Sequence, residues 1–435
     1  MPDYKVVVNA CAAPSFTNLT QVRCGTGPGI THKYKYDRLV EGFPERLSSR
    51  QQDWADVLGA IYAIDLRCKR GEGVDWHRDI EAWIPVRDPD LWNSLTPQIV
   101  NVFAALTYDR LKPNFVLGVD MGQPPRQSRK AFPDADGVAL LSGGVDSFVG
   151  AALLLDGGSK PLLVSHMNTS SASAAINAIM PTLRRMGAPA QPVSVTAGNV
   201  ERDRSGESSQ RARSMLYMGV ACLVADGMGL HDVWLNENGV MAVNVPLTAA
   251  RSGSLSTRTA SPRVLAQFSK LASAALGTAI TVSNKLVALT KPEVTALAGE
   301  LRINPMLMHT VSCWQIGHNP EHCGRCVPCL IRQISHEYCN TADRSYLTRP
   351  FDAIPEGVPW GATAKDNVFH LLMHAVALGR ADEDDLVLDQ PELLDAGPGL
   401  SVGQSIDMHK RWADQCLTVA TSHPYSRSIL EGNVS

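Results

Sequence analysis

The sequence contains no apolar run near the ~18 residues that a membrane-spanning helix needs. Its longest, Met215–Ala225, reads as a buried helix. Charge of one sign is also lacking: 40 Lys and Arg against 43 Asp and Glu leave −3. That excludes a general electrostatic hold on nucleic acid or on an anionic membrane, though not a local basic groove. The opening stretch MPDYKVVVNACAAP carries one Lys and no long apolar core. No secretory signal is therefore expected, and the expected location is cytoplasmic. Internal repeats and low-complexity segments are absent. Ten cysteines in 435 residues do not suggest a disulfide scaffold.

What is present is an ordinary globular composition, with length for roughly three domains. The Pro-, Gly- and charge-rich stretch Val119–Asp136 reads as a linker. Before it, Lys5–Asn9 and Ile80–Val86 read as strands and Trp54–Arg67 as a helix. An N-terminal α+β accessory domain over residues 1–130 is expected. From residue 137 short apolar strands alternate with helices: Val138–Leu141, Pro161–Ser165, Pro192–Thr196, Asp232–Leu235 and Ala279–Ser283 are the strands. Asp146–Leu155, Ala172–Met186, Ser209–Met228, Pro262–Ala275 and Pro292–Leu301 are the helices. This alternation predicts an α/β fold, a doubly wound parallel five-stranded sheet, over residues 131–346. Such sheets bind ligands at the carboxyl ends of their strands, near the switch point. Residues 347–435 predict a C-terminal helical extension, with helical patches at Asn367–Leu378 and Ile406–Ala420.

The strongest local signal is Leu140–Phe148, LLSGGVDSF. A strand runs into Ser142, Gly143, Gly144, Val145, Asp146 and Ser147, where a helix begins. Paired glycines let backbone turn sharply beside a ligand. Free amides at the positive end of the helix dipole then make an anion site, and Ser142 and Ser147 add hydroxyl donors. Asp146 would repel a bare phosphate but suits Mg²⁺, which binds through one or two carboxylates plus phosphates. The Gly-Lys-Ser/Thr ending of a Walker loop and the GxGxxG dinucleotide pattern are both missing.

The second signal is Ser312–Arg332, where Cys313, Cys323, Cys326 and Cys329 are spaced C-x9-C-x2-C-x2-C. Four thiolates can close a tetrahedron around Zn²⁺ as a structural site. Gly324 permits the tight turn, and His318 and His322 stand close enough to substitute. An iron–sulfur cluster is the rival, although Gln333 stands where the bacterial ferredoxin run needs a Cys.

Ser-Gly-Gly-x-Asp-Ser resembles the pyrophosphate loop of the PP-loop ATP pyrophosphatases. With the cysteine pattern, it resembles the QueC (7-cyano-7-deazaguanine synthase) branch over Gly137–Tyr346. Thr290-Lys291-Pro292-Glu293 looks like that family's Thr-Lys-x-Glu segment. Arg213-Ser214 looks like its substrate-side position, with Arg211 as alternative. The resemblance implies ATP, Mg²⁺ and Zn²⁺ as cofactors. It also implies adenylation of 7-carboxy-7-deazaguanine followed by amide and nitrile formation with ammonia. Two departures stand out. The short enzymes lack residues 1–130 and most of the tail, and their Tyr-Pro-Asp stretch is replaced here by the Ser/Thr/Arg-rich Asn236–Pro262. This combination resembles the extended QueC-like proteins of antiphage operons, the QatC type, and implies an operon-encoded protein partner whose amine replaces ammonia.

On that resemblance Ser142, Gly143, Gly144, Val145 and Ser147 hold pyrophosphate and Asp146 holds Mg²⁺. Lys291 answers leaving-group charge, unless it is a solvated lysine at a helix start. Arg213 pairs with phosphate or substrate, or else with a surface carboxylate. Backbone at His166 and Met167 receives adenine, while the His166 side chain is expected to be structural. Arg251, Arg258 and the hydroxyls of 254–259 either read a purine-like base, close as a lid, or form a plain surface loop. Residues 1–130 are expected to form a partner-docking surface, whose deletion would spare adenylation and abolish partner modification. Competing readings are a nitrile synthase with accessory domains, a tRNA-modifying PP-loop enzyme with a catalytic cysteine, and a non-catalytic nucleotide scaffold. Neither a membrane nor nucleic acid is an expected partner.

Overall fold

A computed structural model of the chain describes residues 2–9, 11, 19–71, 76–119, 121, 132–166, 170–189, 192–199, 206–207, 209–248, 258–315, 321–354 and 356–433. The expected linker 119–136 lies largely outside them. The N-terminal part supplies β1 (Tyr4–Val8), β2 (Thr20–Val22), β3 (Cys24–Gly25), β4 (His32–Lys35), α1 (Asp37–Val40), α2 (Ser49–Arg67), β5 (Asp79–Val86), α3 (Pro89–Ser94), α4 (Thr96–Thr107) and β6 (Arg110–Leu117). The centre supplies β7 (Gly137–Leu140), α5 (Val145–Asp156), β8 (Pro161–His166), α6 (Ser170–Arg185), β9 (Val193–Asn199), α7 (Arg213–Gly227), β10 (Asp232–Trp234), α8 (Gly239–Val243), α9 (Pro262–Leu276), β11 (Thr281–Ser283), α10 (Lys291–Glu300) and α11 (Val327–Tyr338). The tail supplies α12 (Gly361–Arg380), α13 (Glu383–Asp389), α14 (Val402–Ala420) and α15 (Pro424–Leu430).

The five central strands pair in parallel in the order β11-β10-β7-β8-β9. Alternation along them divides two cores. Val138, Leu140, Leu162, Val164 and Val233 join α7 and α9, including Met215 and Phe268, in one cluster. Ala139, Leu141, Leu163 and Trp234 join α5, α6 and α10, including Phe148, Ile176 and Val294, in the other. Period-two side chains on a sheet covered by helices on both faces must divide in this way. The chain moves outward from β7 to β9, then returns to the other side of β7 for β10 and β11. The order therefore reverses between β7 and β10, and the crevice outside their carboxyl ends is the ligand position for such a sheet.

Two expectations are corrected. Among the described residues the sheet has seven strands, not five: β4 pairs antiparallel with β9 and β3 continues beyond it. These strands, CG and HKYK, are too short and polar to show a period in sequence, yet they cover an edge that would otherwise be open to association. The N-terminal sheet, β2-β1-β5-β6, is parallel throughout, so the unit is α/β and not α+β. Helices α3 and α4 supply the crossover that parallel pairing of β5 with β6 requires.

Residues 1–130 share the interior of the centre. Trp54 is buried against Phe268, with ring centroids 5.9 Å apart, and its Nε1 donates to the Gly219 carbonyl of α7 at 2.8 Å. Asp65 of α2 accepts the Ala212 amide at the start of α7 at 2.8 Å. Trp412 of the tail belongs to the same apolar cluster as Trp54.

Candidate nucleotide site and cysteine cluster

β7 ends in the Ser142–Ser147 turn. Gly143 adopts φ +83°, and a Cβ there would stand 3.2 Å from both the Ala172 carbonyl and the Ala175 Cβ of α6. Left-handed geometry and close approach both favour glycine. Gly144 precedes α5 without any side-chain cap. The first amides of that helix therefore face the crevice unclaimed by a capping group, as an anion site requires. The Ser147 Oγ accepts the Ser142 amide at 3.2 Å, lies 3.0 Å from the Ser142 Oγ, and donates to the Gly144 carbonyl at 3.1 Å. These bonds hold the turn open. From outside, the Val311 amide donates to the Gly143 carbonyl at 2.9 Å.

Asp146 meets two chain-distant groups. Lys291 Nζ lies 2.8 Å from Oδ1, and Asn238 Nδ2 donates to Oδ2 at 3.0 Å. The side chains of Lys291 and Asp146 are only 10% and 14% exposed, so Lys291 is a buried partner and not a solvated helix-start lysine. It opens α10 behind a capping box in which Thr290 and Glu293 satisfy each other's amides. Beside the pair stands Glu237, whose carboxyl is pushed up to about 7 by burial and then by the Asp146 charge, with Lys291 opposing. Asn284 fixes its backbone, accepting the Glu237 amide at 3.2 Å and donating to the Glu237 carbonyl at 2.7 Å. Asp146 and Glu237 thus come from either side of the switch point with a lysine between them.

The other predicted residues separate. Arg213, at the exposed start of α7, makes no ion pair among the described residues, and its charge acts on His166, Tyr62 and Tyr217. Arg211 is 3% exposed and packs over the Trp76 ring at 4.9 Å, which assigns it to the N-terminal interior. The His166 ring is buried, 4.9 Å from the Tyr217 ring, with Nε2 3.1 Å from the Ala197 carbonyl. Burial holds it down to about 4, so it is neutral and structural, and the Tyr217 hydroxyl donates to its carbonyl at 3.1 Å. Arg258 pairs with Glu392 at 2.9 Å and, with Asn101, Tyr108, Gln267 and Asp395, lines a cavity of about 360 Å³. Thr259 Oγ1 lies 2.7 Å from Ser214 Oγ. Met167, His318, Arg251 and residues 254–257 lie outside the described residues. Burial raises the thiols of Cys11, Cys24, Cys68, Cys222, Cys339 and Cys416, which makes poor nucleophiles of them.

Cys313, Cys323, Cys326 and Cys329 are buried, with their sulfurs within 4.8 Å of one another. The amides of Gln315 and Cys323 donate to the Cys313 sulfur at 3.3 and 3.4 Å, and the Cys326 amide to the Cys323 sulfur at 3.4 Å. Four converging sulfurs with amide donors fit a closed zinc centre, and the cluster can hold zinc. His322 is not among these ligands: its Nε2 accepts the Ser312 amide at 3.3 Å. Gly324 has φ +78°, and a Cβ there would lie 1.8 Å from the Thr348 carbonyl oxygen. Gln333, the position that excluded the ferredoxin run, donates to the Gly324 carbonyl at 2.8 Å. Fully buried Arg332 ties this centre to the Ser142–Ser147 turn. It pairs with Asp343 at 2.7 Å and donates to Thr310 Oγ1 at 2.8 Å, one residue before Val311.

The family described as Queuosine biosynthesis protein QueC matches residues 259–340. These span α9, β11, α10, the cysteines and α11. This part of the chain is QueC-like. The chain is also 25% identical over 236 residues to a 7-cyano-7-deazaguanine synthase of Polynucleobacter asymbioticus, covering 48% of this chain and 90% of that protein. It is equally 25% identical over 218 residues to the protein of that name in Legionella pneumophila (strain Paris), covering 45% and 90%. More than half of the present chain thus lies outside each relative. Among the described residues no helix is long and apolar enough to cross a membrane.

Sequence reasoning missed Glu237, Asn238 and Asn284. The first two lie three and four residues beyond the end of β10, and strand ends at a switch point are where ligands bind, so that signal was there to be read. Val311 carries no local signal, because its role is a single backbone amide.

Proposed function

We propose that the chain adenylates a carboxylate with ATP, releasing pyrophosphate, and then passes the acyl group to an amine nitrogen. What carries the reading is the Ser142–Ser147 turn, uncapped before α5, whose own Asp146 is buried against Lys291. A carboxylate resists attack because its charge repels nucleophiles and oxide leaves poorly. In the first step its oxygen bonds to the α-phosphorus of ATP as the bond to the bridging oxygen of pyrophosphate breaks. In the second, the amine nitrogen bonds to the acyl carbon, AMP departs with the C–O electron pair, and the amine loses a proton.

The Gly143 and Val145 amides receive the departing diphosphate. The Gly144 amide joins them on leaving the Ser142 Oγ that it meets at 3.3 Å. The Ser142 and Ser147 hydroxyls turn to the diphosphate from their bonds within the turn. Asp146 offers a hard oxygen ligand for Mg²⁺, and the adjacent Glu237 carboxylate makes the pocket more suited to a cation. Bound there, Mg²⁺ would neutralise phosphate charge. Lys291 exchanges its contact with Asp146 for the diphosphate as charge develops. Preorganised donors of this kind are worth several kcal/mol of barrier, and alignment of two bound anions ~7–11 kcal/mol. Arg213 faces the substrate carboxylate or a phosphate. Adenine is received by backbone groups of His166 and Met167, where β8 ends.

The substrate class follows the relatives' name: a 7-deazaguanine carboxylate. The acceptor is a partner-protein amine in an antiphage setting, a reading supported by the chain length beyond the relatives. Ammonia is the second reading, favoured by the printed names of those relatives. It gives a primary amide. The amide oxygen bonds to the α-phosphorus of a second ATP with release of pyrophosphate, then leaves with AMP as the nitrogen gives up two protons and the nitrile forms. Pyrophosphate release should require both 7-carboxy-7-deazaguanine and Mg²⁺. Release indifferent to the carboxylate counts against the proposal. Mass analysis separates the acceptors, showing either a free nitrile or a mass gain on a partner.

A further inference from the structure

The tail reaches the nucleotide site. Thr290, fully buried, donates its hydroxyl to Gln415 Oε1 of α14 at 2.7 Å. Its oxygen accepts the Glu293 amide at 3.2 Å, so Gln415 sets the rotor of the capping hydroxyl. Both carboxylate oxygens of Glu293 are engaged. Oε2 accepts the Thr290 amide at 2.9 Å and Arg411 Nη2 of α14 at 3.2 Å, while Oε1 accepts Arg411 Nε at 2.7 Å and Gln415 Nε2 at 3.5 Å. Arg411 also donates through Nη2 to the Ala288 carbonyl at 3.0 Å, two residues before Thr290. Hydrogen bonds from one helix thus converge on Ala288, Thr290 and Glu293, which flank the Lys291 aimed at Asp146. An ordinary capping box is self-sufficient, so stability of α10 does not demand them. What they add is a fixed position for its first residue.

We propose that Gln415 and Arg411 are positioning residues: the C-terminal extension holds the Thr290–Glu293 turn so that Lys291 Nζ stays in register with the phosphate loop. The proposal rests on the adenylation reading for what Lys291 does, and on the structure alone for how it is held. Misplacing such a group by about 1 Å can cost ~100-fold in rate.

The test uses the full chain. Gln415→Leu and Arg411→Ala should each lower kcat for carboxylate-dependent pyrophosphate release ~10–100-fold, with KM for ATP little changed. Arg411→Lys should recover part of the loss. Combining Gln415→Leu with Lys291→Met should be no slower than Lys291→Met alone, because both act through one ammonium; a purely structural role would make the losses multiply. Wild-type kcat in a folded Gln415→Leu, or multiplying losses, overturns the proposal. If the wild type releases no pyrophosphate, the adenylation reading fails instead. Calorimetric titration with Mg²⁺-pyrophosphate then tests positioning by itself: Gln415→Leu should bind it more weakly, and unchanged binding overturns the proposal.

Discussion

Replacing Glu237 by Gln should stabilise the protein at alkaline pH and change little in acid. Glu237 is partly buried beside Asp146, and burial followed by that charge moves its carboxyl from the ordinary 4.5 up to about 7. The unfolded chain gives up this proton near 4.5 and the folded protein only near 7. The stability involved is fully present below pH 4.5 and is lost as pH rises through 7. At about 1.4 kcal/mol per pH unit the ceiling is about 3.4 kcal/mol, and solvent screening of a partly exposed group brings the expectation to about 1–3 kcal/mol. Gln keeps the volume and hydrogen-bonding capacity while removing the charge. The assay is urea unfolding at pH 4.5, 6 and 8 in Mg²⁺-free buffer, comparing midpoints at equal m-value. Glu237→Gln should exceed wild type by that amount at pH 8 and match it at pH 4.5. A difference independent of pH, or a variant less stable at pH 8, refutes the like-charge account of the pair.

Gly324→Ala must place a Cβ against the Thr348 carbonyl in a left-handed residue, costing at least about 1–2 kcal/mol. Zinc per chain, measured by atomic emission, should fall below one; a full complement would contradict the packing argument. Removing zinc with a chelator should weaken ATP binding by calorimetry, since Thr310–Ser312 connects the cysteines through Arg332 to the Gly143 carbonyl; unchanged ATP affinity in the zinc-free protein would break that link. Buried His32, His166, His374 and His409 are each held down to about 4 by burial, while unfolded histidine titrates near 6.5. Their contribution is whole above pH 6.5 and is lost as pH falls toward 4, by several kcal/mol in all; urea midpoints that stay level between pH 6.5 and 4.5 would count against it. Deleting residues 1–118 should yield a fragment without cooperative unfolding by near-ultraviolet dichroism, because Trp54 and β4 leave the shared core and the β9 edge. A soluble, cooperatively folding fragment would restore the view of this region as a detachable docking surface.

The central strands and helices were legible from local patterns: Pro161–His166 begins with an apolar run and is buried throughout, and Pro262–Leu276 is amphipathic between a Ser cap and a Gly stop. The Ser142–Ser147 turn and the cysteine cluster were legible because their residues are nearly contiguous in the chain. β3 and β4 were not, since pairing with β9 is a long-range event that four polar residues do not announce. The direction of the N-terminal strands was hidden for the same reason, because parallel and antiparallel neighbours share one alternation.

Local chemistry alone therefore determined which turn can receive an anion, which sulfurs can close on a metal, and that helices cover a sheet. Only tertiary structure decided that Lys291 is buried on Asp146, that Glu237 crowds the same carboxylate, and that a helix more than a hundred residues further on steadies them. A side chain's charge state and aim depend on what packs around it, and those neighbours arrive from distant parts of the chain.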